Sequence, residues 1–413
     1  MQLPSPIPVL FLAACLLATV PAFSSDPLRF VPVVIDDQPG NVVYAVTVAD
    51  IDGDGRPDVV AVTENAVLWY QAPRWRKRVI LQGTTAPDNV CIVAHDVDRN
   101  GKIDLVLGAG WPRNGGTLQW LSRQADLDQP WEVHEIAAEP WLHRISFANV
   151  LGTDEPQLVV SPLNASKHSG ARLMAFQVPA NPRRSGWPVT ILNSELNRMH
   201  NHLCVDREVV GFTRATDSLS KRQQITLTAS QEGVSAIVPV PREDRVFRRV
   251  PLLSGATGQQ ADQQGAGEVK LGRLVDGSHF IATIEPMHGT DAVVYVMGDL
   301  LAQQRPARVV LTDQLRGGHA LWCADLNGDG QDEVIVGYRE LNPKVGILIF
   351  QHLPDGSWHQ HIVGHEVACE DLVVADLTGD GRADIVAGGR ATRNVVLYVN
   401  ETSQVQEQRN AND

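Results

Sequence analysis

Cysteine is scarce in this chain: there are five in 413 residues, Cys15, Cys91, Cys204, Cys323 and Cys369, with no CxxC pair and no zinc-knuckle spacing. That spacing argues against a disulfide framework or a cysteine-held zinc. The last four each fall in or beside an expected inner strand and read as buried free thiols. No basic stripe is present, and 35 Lys and Arg face 48 Asp and Glu for a net charge of −13. A nucleic-acid partner is thereby excluded, because phosphates need clustered cations to neutralise them. No phosphate-binding glycine loop, dinucleotide fingerprint or Ser/His/Asp constellation occurs, and Gly108, Gly110, Gly388 and Gly389 read as strand-end turns. The apolar run at the start, Val9 to Val20, is too short to span a bilayer comfortably. With small residues at Ala22 and Ser24, it reads as a signal peptide over residues 1–24, although the usual positive start is missing. The expected location is therefore periplasmic or secreted, with no membrane span in the mature chain. Leu12 to Cys15 also fits a lipoprotein box, but few apolar residues precede Cys15 and the run continues past it, so anchoring is not expected.

What the chain has is a repeated acidic loop. Four copies place oxygen side chains at positions 1, 3, 5 and 9: Asp50, Asp52, Asp54 and Asp58; Asp96, Asp98, Asn100 and Asp104; Asp325, Asn327, Asp329 and Glu333; Asp376, Thr378, Asp380 and Asp384. Such oxygens can converge on one calcium ion, and glycine at position 6 permits the sharp turn. An EF-hand would need glutamate at position 12, where this chain has Ala61, Leu107, Val336 and Ala387, and a helix on either side. β-Branched runs follow instead, so each loop joins two strands. Thirteen acids occupy these ligand positions, as many as the whole net negative charge, so bound calcium would neutralise much of it.

The loop start serves as a ruler, with equivalent points at Asp50, Asp96, Asn149, Asp206, Gly272, Asp325 and Asp376. Seven units result, each reading as four strands, and the middle three lack the metal ligands. A last-strand signature begins at Trp75, Trp131, Trp187, Val246, Ala307 and Trp358. The last unit stops after its third strand at Val399, while Leu28 to Val34 precedes the first unit as an extra strand. A four-stranded repeat completed from the opposite terminus describes an all-β, seven-bladed β-propeller closed by an N-terminal strand, with calcium loops on one face. The propeller is expected over residues 25–400, with a polar tail over 401–413.

Six residues before each loop start stand Tyr44, Val90, His143, His200, Ala266, His319 and Glu370. Four of these seven are His or Glu, in a chain with 13 histidines, and all sit where the innermost strand begins, on the face opposite calcium. His200 and His202 flank one residue and are expected on one side of a strand, sharing a metal. Glu285 and His288 follow the second strand of unit five toward the same face. His143, His319 and Glu370 are the proton-transfer candidates; Arg144, Asp371 and Tyr338 are the substrate-binding ones, with Asp88 and Arg390 also within reach. Neutral imidazoles with a carboxylate suit Zn2+ or a similar divalent ion with an open position.

The acidic loops resemble the FG-GAP or VCBS repeats of integrin-type propellers. Four further segments, His143 to Ile145, Ile284 to Gly289, Gly318 to Trp322 and Cys369 to Leu372, resemble the propeller domain of aldos-2-ulose dehydratase, a larger fungal enzyme that also carries cupin domains. That second resemblance implies an exported metal-dependent lyase dehydrating a keto-sugar such as 1,5-anhydrofructose or an aldos-2-ulose. A non-catalytic carbohydrate- or protein-binding propeller is the alternative, and a polysaccharide lyase a third. The latter would need basic residues along a groove, for which Arg144, Arg198, Arg316 and Arg390 are the candidates.

Overall fold

The computed structural model describes residues 27–111, 116–165, 170–209, 223–240, 243, 245–297, 306–341 and 344–403. The expected signal peptide and the end of the polar tail lie outside them. Among the described residues seven four-stranded antiparallel sheets account for nearly all the regular structure, with a two-stranded hairpin at Ala256–Thr257 and Gln264–Gly265 and a single 3-10 turn. In chain order the innermost strands are Val43–Ala49, Cys91–His95, Leu142–Ala148, Met199–Asp206, Glu268–Arg273, Gly318–Ala324 and Cys369–Ala375. Each contacts the next, and the last contacts the first, so they line a central channel. In the seventh sheet the three final strands pair outward to Phe30–Asp36, through Phe30 with Asn400 and Val33 with Leu397.

Why strands of this composition form blades follows from their burial. A second strand such as Asp58–Thr63 is buried at every residue, because both faces of the blade are covered by neighbouring blades. Continuous β-branched runs replace the alternation a one-sided sheet would show. Between blades one and two the packing centres on Val60, Trp69, Leu105, Leu107 and Leu121, all essentially inaccessible to solvent. Burying each such large side chain stabilises the fold by about 1.5–3 kcal/mol. Outer strands keep exposed faces, as at Val79 and Ile362.

The acidic turns are built alike. In the first, Asp50 accepts amide hydrogens from Gly53, Asp54 and Gly55, and Asp54 accepts that of Arg56. Gly55, Gly101, Gly330 and Gly381, at position 6, all have φ between +80° and +89°, the region that only glycine enters without strain. The ninth position has a task that spacing did not reveal. Asp58 accepts the amides of Ile51 and Ala72, and Asp384 those of Leu377 and Asn400, tying the turn to the end of the third strand. Potential ligand atoms of Asp50, Asp52 and Asp58, and likewise of Asp96, Asp98 and Asp104, lie within 4.8 Å of one another.

Pairing continues past Asn400. Glu401 donates its amide to Arg29 O, and Thr402 Oγ1 accepts the amide of Arg29 at 2.9 Å, so the segment read as tail begins as part of the sheet. Asn400 is fully buried and its side-chain amide donates to Leu326 O and Ala383 O.

Candidate functional site

Alternation along a strand would hide every second residue of an innermost strand in the interblade core. Five of the seven innermost strands break that alternation at the same point. Their register shifts lie between Val43 and Ala45, Leu142 and Arg144, Met199 and Asn201, Gly318 and Ala320, and Cys369 and Asp371. The extra residue in each is Tyr44, His143, His200, His319 or Glu370. Innermost strands two and five have no such shift, and they are the two whose equivalent residues are Val90 and Ala266. A β-bulge re-aims one side chain and leaves the rest of the ladder paired. Here it turns polar groups toward the channel mouth.

The histidines are then locked from blade to blade. His143 Nδ1 donates to His200 O at 2.6 Å, His200 Nδ1 to Gly267 O at 2.8 Å, and His319 Nδ1 to Glu370 O at 2.5 Å. Each bond fixes the tautomer and leaves Nε2 without a hydrogen, as the outer partner of a metal-binding histidine does. His288 reaches in from the loop after Glu285 with φ +56°, a strained backbone of the kind that gathers at functional sites. Its Nε2 stands 2.9 Å from His200 Nε2, and Arg339 approaches its Nδ1 at 3.4 Å. Ligand atoms of His200, His288 and His319 all fall within 4.8 Å of one another. Three imidazole nitrogens around one zinc stand roughly 3.3 Å apart, a spacing that lies within the span of this set. Burial, reinforced by nearby arginines and neighbouring imidazoles, holds His143, His200, His288 and His319 well below the ordinary histidine range. They are neutral, as ligands must be.

Beside them, Glu370 is gripped by Arg339 at 2.6 Å and Arg390 at 2.7 Å, and its Oε1 lies 3.7 Å from His319 Nε2. Arg390 also covers the ring of Tyr44, whose hydroxyl donates to Asp88. Residues 115–298 match the model of the aldos-2-ulose dehydratase β-propeller domain, and residues 50–107 and 325–387 match the FG-GAP-like repeat. The chain carries FG-GAP-like repeats on a propeller similar to that of aldos-2-ulose dehydratase. The curated enzyme of that name from Phanerodontia chrysosporium is 24% identical over 272 residues, which is 60% of this chain and 29% of the enzyme. The chain thus matches under a third of that relative's length. Two solved structures of BBS1N in complex with ARL6DN, soaked with mercury or with lead, superpose with a TM-score of 0.53. They share 10% and 11% identity, cover 90% and 92% of this chain and are themselves covered to 96% and 98%, a likeness of fold alone.

The stretch similar to the dehydratase propeller contains His143, His200 and His288, but not every expected partner joins them. His202 does not share a site with His200, because the bulge between Met199 and Asn201 turns the two apart. Its nitrogens instead meet Ser146 Oγ and Ser161 Oγ, both at 2.8 Å. Glu285 is fully buried within its own blade, accepting from Thr283, Tyr295 and Arg308, since its strand aims it outward before the chain turns to His288. Tyr338 is buried in the core between blades five and six, and the next residue, Arg339, reaches the mouth instead. His319, read as a proton-transfer group, stands in the three-histidine cluster. Asp371 accepts the amide of Val46 at 3.0 Å, joining blades seven and one. Arg144 remains at the site, 3.5 Å from His143 Nε2.

Two residues escaped the sequence reading. Arg339 follows a strand end with no motif around it. Glu268 is 3% exposed, its Oε1 lies 3.0 Å from His200 Nδ1, and Asn201 donates to its Oε2. Burial raises its pKa, against the pull of Arg144 and Lys270. It falls outside the six-residue register, and only its neighbour Ala266 marks the place. Below the cluster a cavity of about 320 Å³ opens in the channel, lined in part by Arg144, His202, Glu268, Lys270 and Asp371.

Proposed function

We propose that this propeller is a metal-dependent lyase that removes water from a keto-sugar at the channel mouth. The observation that carries the reading is the pair of hydrogen-free Nε2 atoms of His200 and His319, fixed by bonds to the neighbouring blades, with His288 Nε2 2.9 Å from that of His200. These three would hold a zinc-like ion, whose Lewis acidity would polarise a bound ketone and acidify the adjacent C–H. Glu370, held by two guanidiniums beside His319, would take that proton. The electron pair then forms the C=C bond as the β-hydroxyl departs, and the same carboxyl returns its proton so that one water leaves. His143, with no hydrogen on Nε2, accepts a hydrogen bond from a sugar hydroxyl, while Arg144, Arg339 and Arg390 donate to others. The distant similarity to a dehydratase's propeller domain supports the same chemistry.

Calcium in the four acidic loops, and export by the leading apolar segment, belong to this reading. Among the described residues no helix is long and apolar enough to cross a membrane. The deciding experiment is metal analysis of purified protein alongside turnover of 1,5-anhydrofructose. His200→Ala should lose the transition ion and all turnover while keeping its circular dichroism. Full activity in that variant refutes the site.

A further inference from the structure

Outside the histidine cluster, the same mouth carries two half-buried indoles with no role so far. Trp141 immediately precedes the third innermost strand, and Trp111 follows the second strand of blade two. Their ring centroids are 5.4 Å apart and their planes cross at 77°, forming a corner. Trp111 is 5.4 Å from His143, and His143 is 4.4 Å from His200, so the corner stands one imidazole away from the metal-binding candidates. Trp111 packs in part on the core between blades two and three, whereas Trp141 has φ +64°, a strained conformation for so large a residue, held as Leu163 donates its amide to Trp141 O at 2.8 Å. Trp111 is fixed through Asp88, itself at φ +60°, whose carbonyl accepts the amides of Gly110 and Trp111 and whose side chain accepts from Tyr44.

We propose that Trp111 and Trp141 are a stacking subsite for a pyranose ring. This rests on the reading of the mouth as a sugar site and names the ring-holding part of it. An indole face is electron-rich, and a pyranose presents a face of weakly positive C–H groups while its hydroxyls project round the edge. Two perpendicular indoles suit such a ring, one under its face and one against its side. The hydroxyl edge and the carbonyl then point across His143 toward His200, His288 and His319, where the polar groups are. An acyclic keto-polyol lacks that flat apolar face and would gain less.

The test uses the full protein and 1,5-anhydroglucitol, a pyranose with no ketone to react, observed by saturation-transfer NMR and by tryptophan fluorescence. Transfer to the ring C–H protons is expected in the wild type. Trp111→Ala and Trp141→Ala should each weaken binding on the order of tenfold, with Trp111→Phe intermediate, which guards against a misfolded alanine variant. Loss of uniform binding should also raise KM for 1,5-anhydrofructose with little change in kcat. Absence of transfer in the wild type, or unchanged affinity in both alanine variants, overturns the subsite. Turnover with an unmoved KM would sink the subsite and leave the lyase standing. Tryptophan-dependent binding without any turnover would do the reverse.

Discussion

Glu268 sits directly beneath His200, with its Oε1 3.0 Å from Nδ1, although the Nδ1 hydrogen itself points to Gly267 O. That oxygen makes no hydrogen bond of its own, while Asn201 holds the other. A buried carboxylate so close to the ring raises the basicity of the imidazole through its charge, while the bond to Gly267 O fixes the tilt.

The first prediction follows from that contact. Glu268→Ala should weaken binding of Zn2+ about 10- to 100-fold, the usual cost of losing a partner behind a ligand, and Glu268→Gln should cost less because it keeps a carbonyl acceptor. Isothermal titration of metal-stripped protein with Zn2+ measures this. Equal affinities in wild type and Glu268→Ala would assign Glu268 to the channel alone.

The acidic loops allow two roles to be separated. Removing Asp384 orphans the amides of Leu377, Thr378 and Asn400, which should cost about 2–5 kcal/mol by urea denaturation even in chelator, with a further loss in calcium because Asp384 is also one of the loop's ligand oxygens. Asp380 is exposed and serves within its own loop and on Arg382, so Asp380→Ala should lower the midpoint only in calcium, where the native state alone binds the ion. Chelation should likewise lower the wild-type midpoint. Identical losses in chelator and in calcium for Asp380→Ala would remove calcium from the account.

Acid sensitivity should come in part from His202. Burial, with a smaller push from the charges of Lys270 and Arg144, holds it down to about 3. A base whose folded pKa lies below its unfolded value near 6.5 takes up a proton on unfolding. Its contribution is therefore complete above pH ~6.5 and is lost as pH falls toward about 3, at up to about 1.4 kcal/mol per pH unit. His202→Gln should flatten the fall in unfolding free energy between pH 6 and pH 4. An unchanged slope would show that His202 does not carry it.

The period of the acidic loops and the β-branched runs that follow them determined the propeller and its seven blades, because strand pairing and turn chemistry are local and recur at fixed spacing. The six-residue register also brought out His143, His200, His319 and Glu370, since a repeated backbone places equivalent residues at equivalent points. Tertiary structure decided which of these point together. The bulge at His200 separates it from His202, a difference that a period of two cannot foresee, because one inserted residue flips the side on which a chain projects. Glu285 went to Arg308 and Tyr295 because a buried carboxylate must find partners, and its own blade supplies them. Glu268, Arg339 and the indoles of Trp111 and Trp141 reach the mouth from separate blades, and such convergence from distant positions is written in no local pattern. The chain sequence set the repeat; closing the blades around one channel made the site.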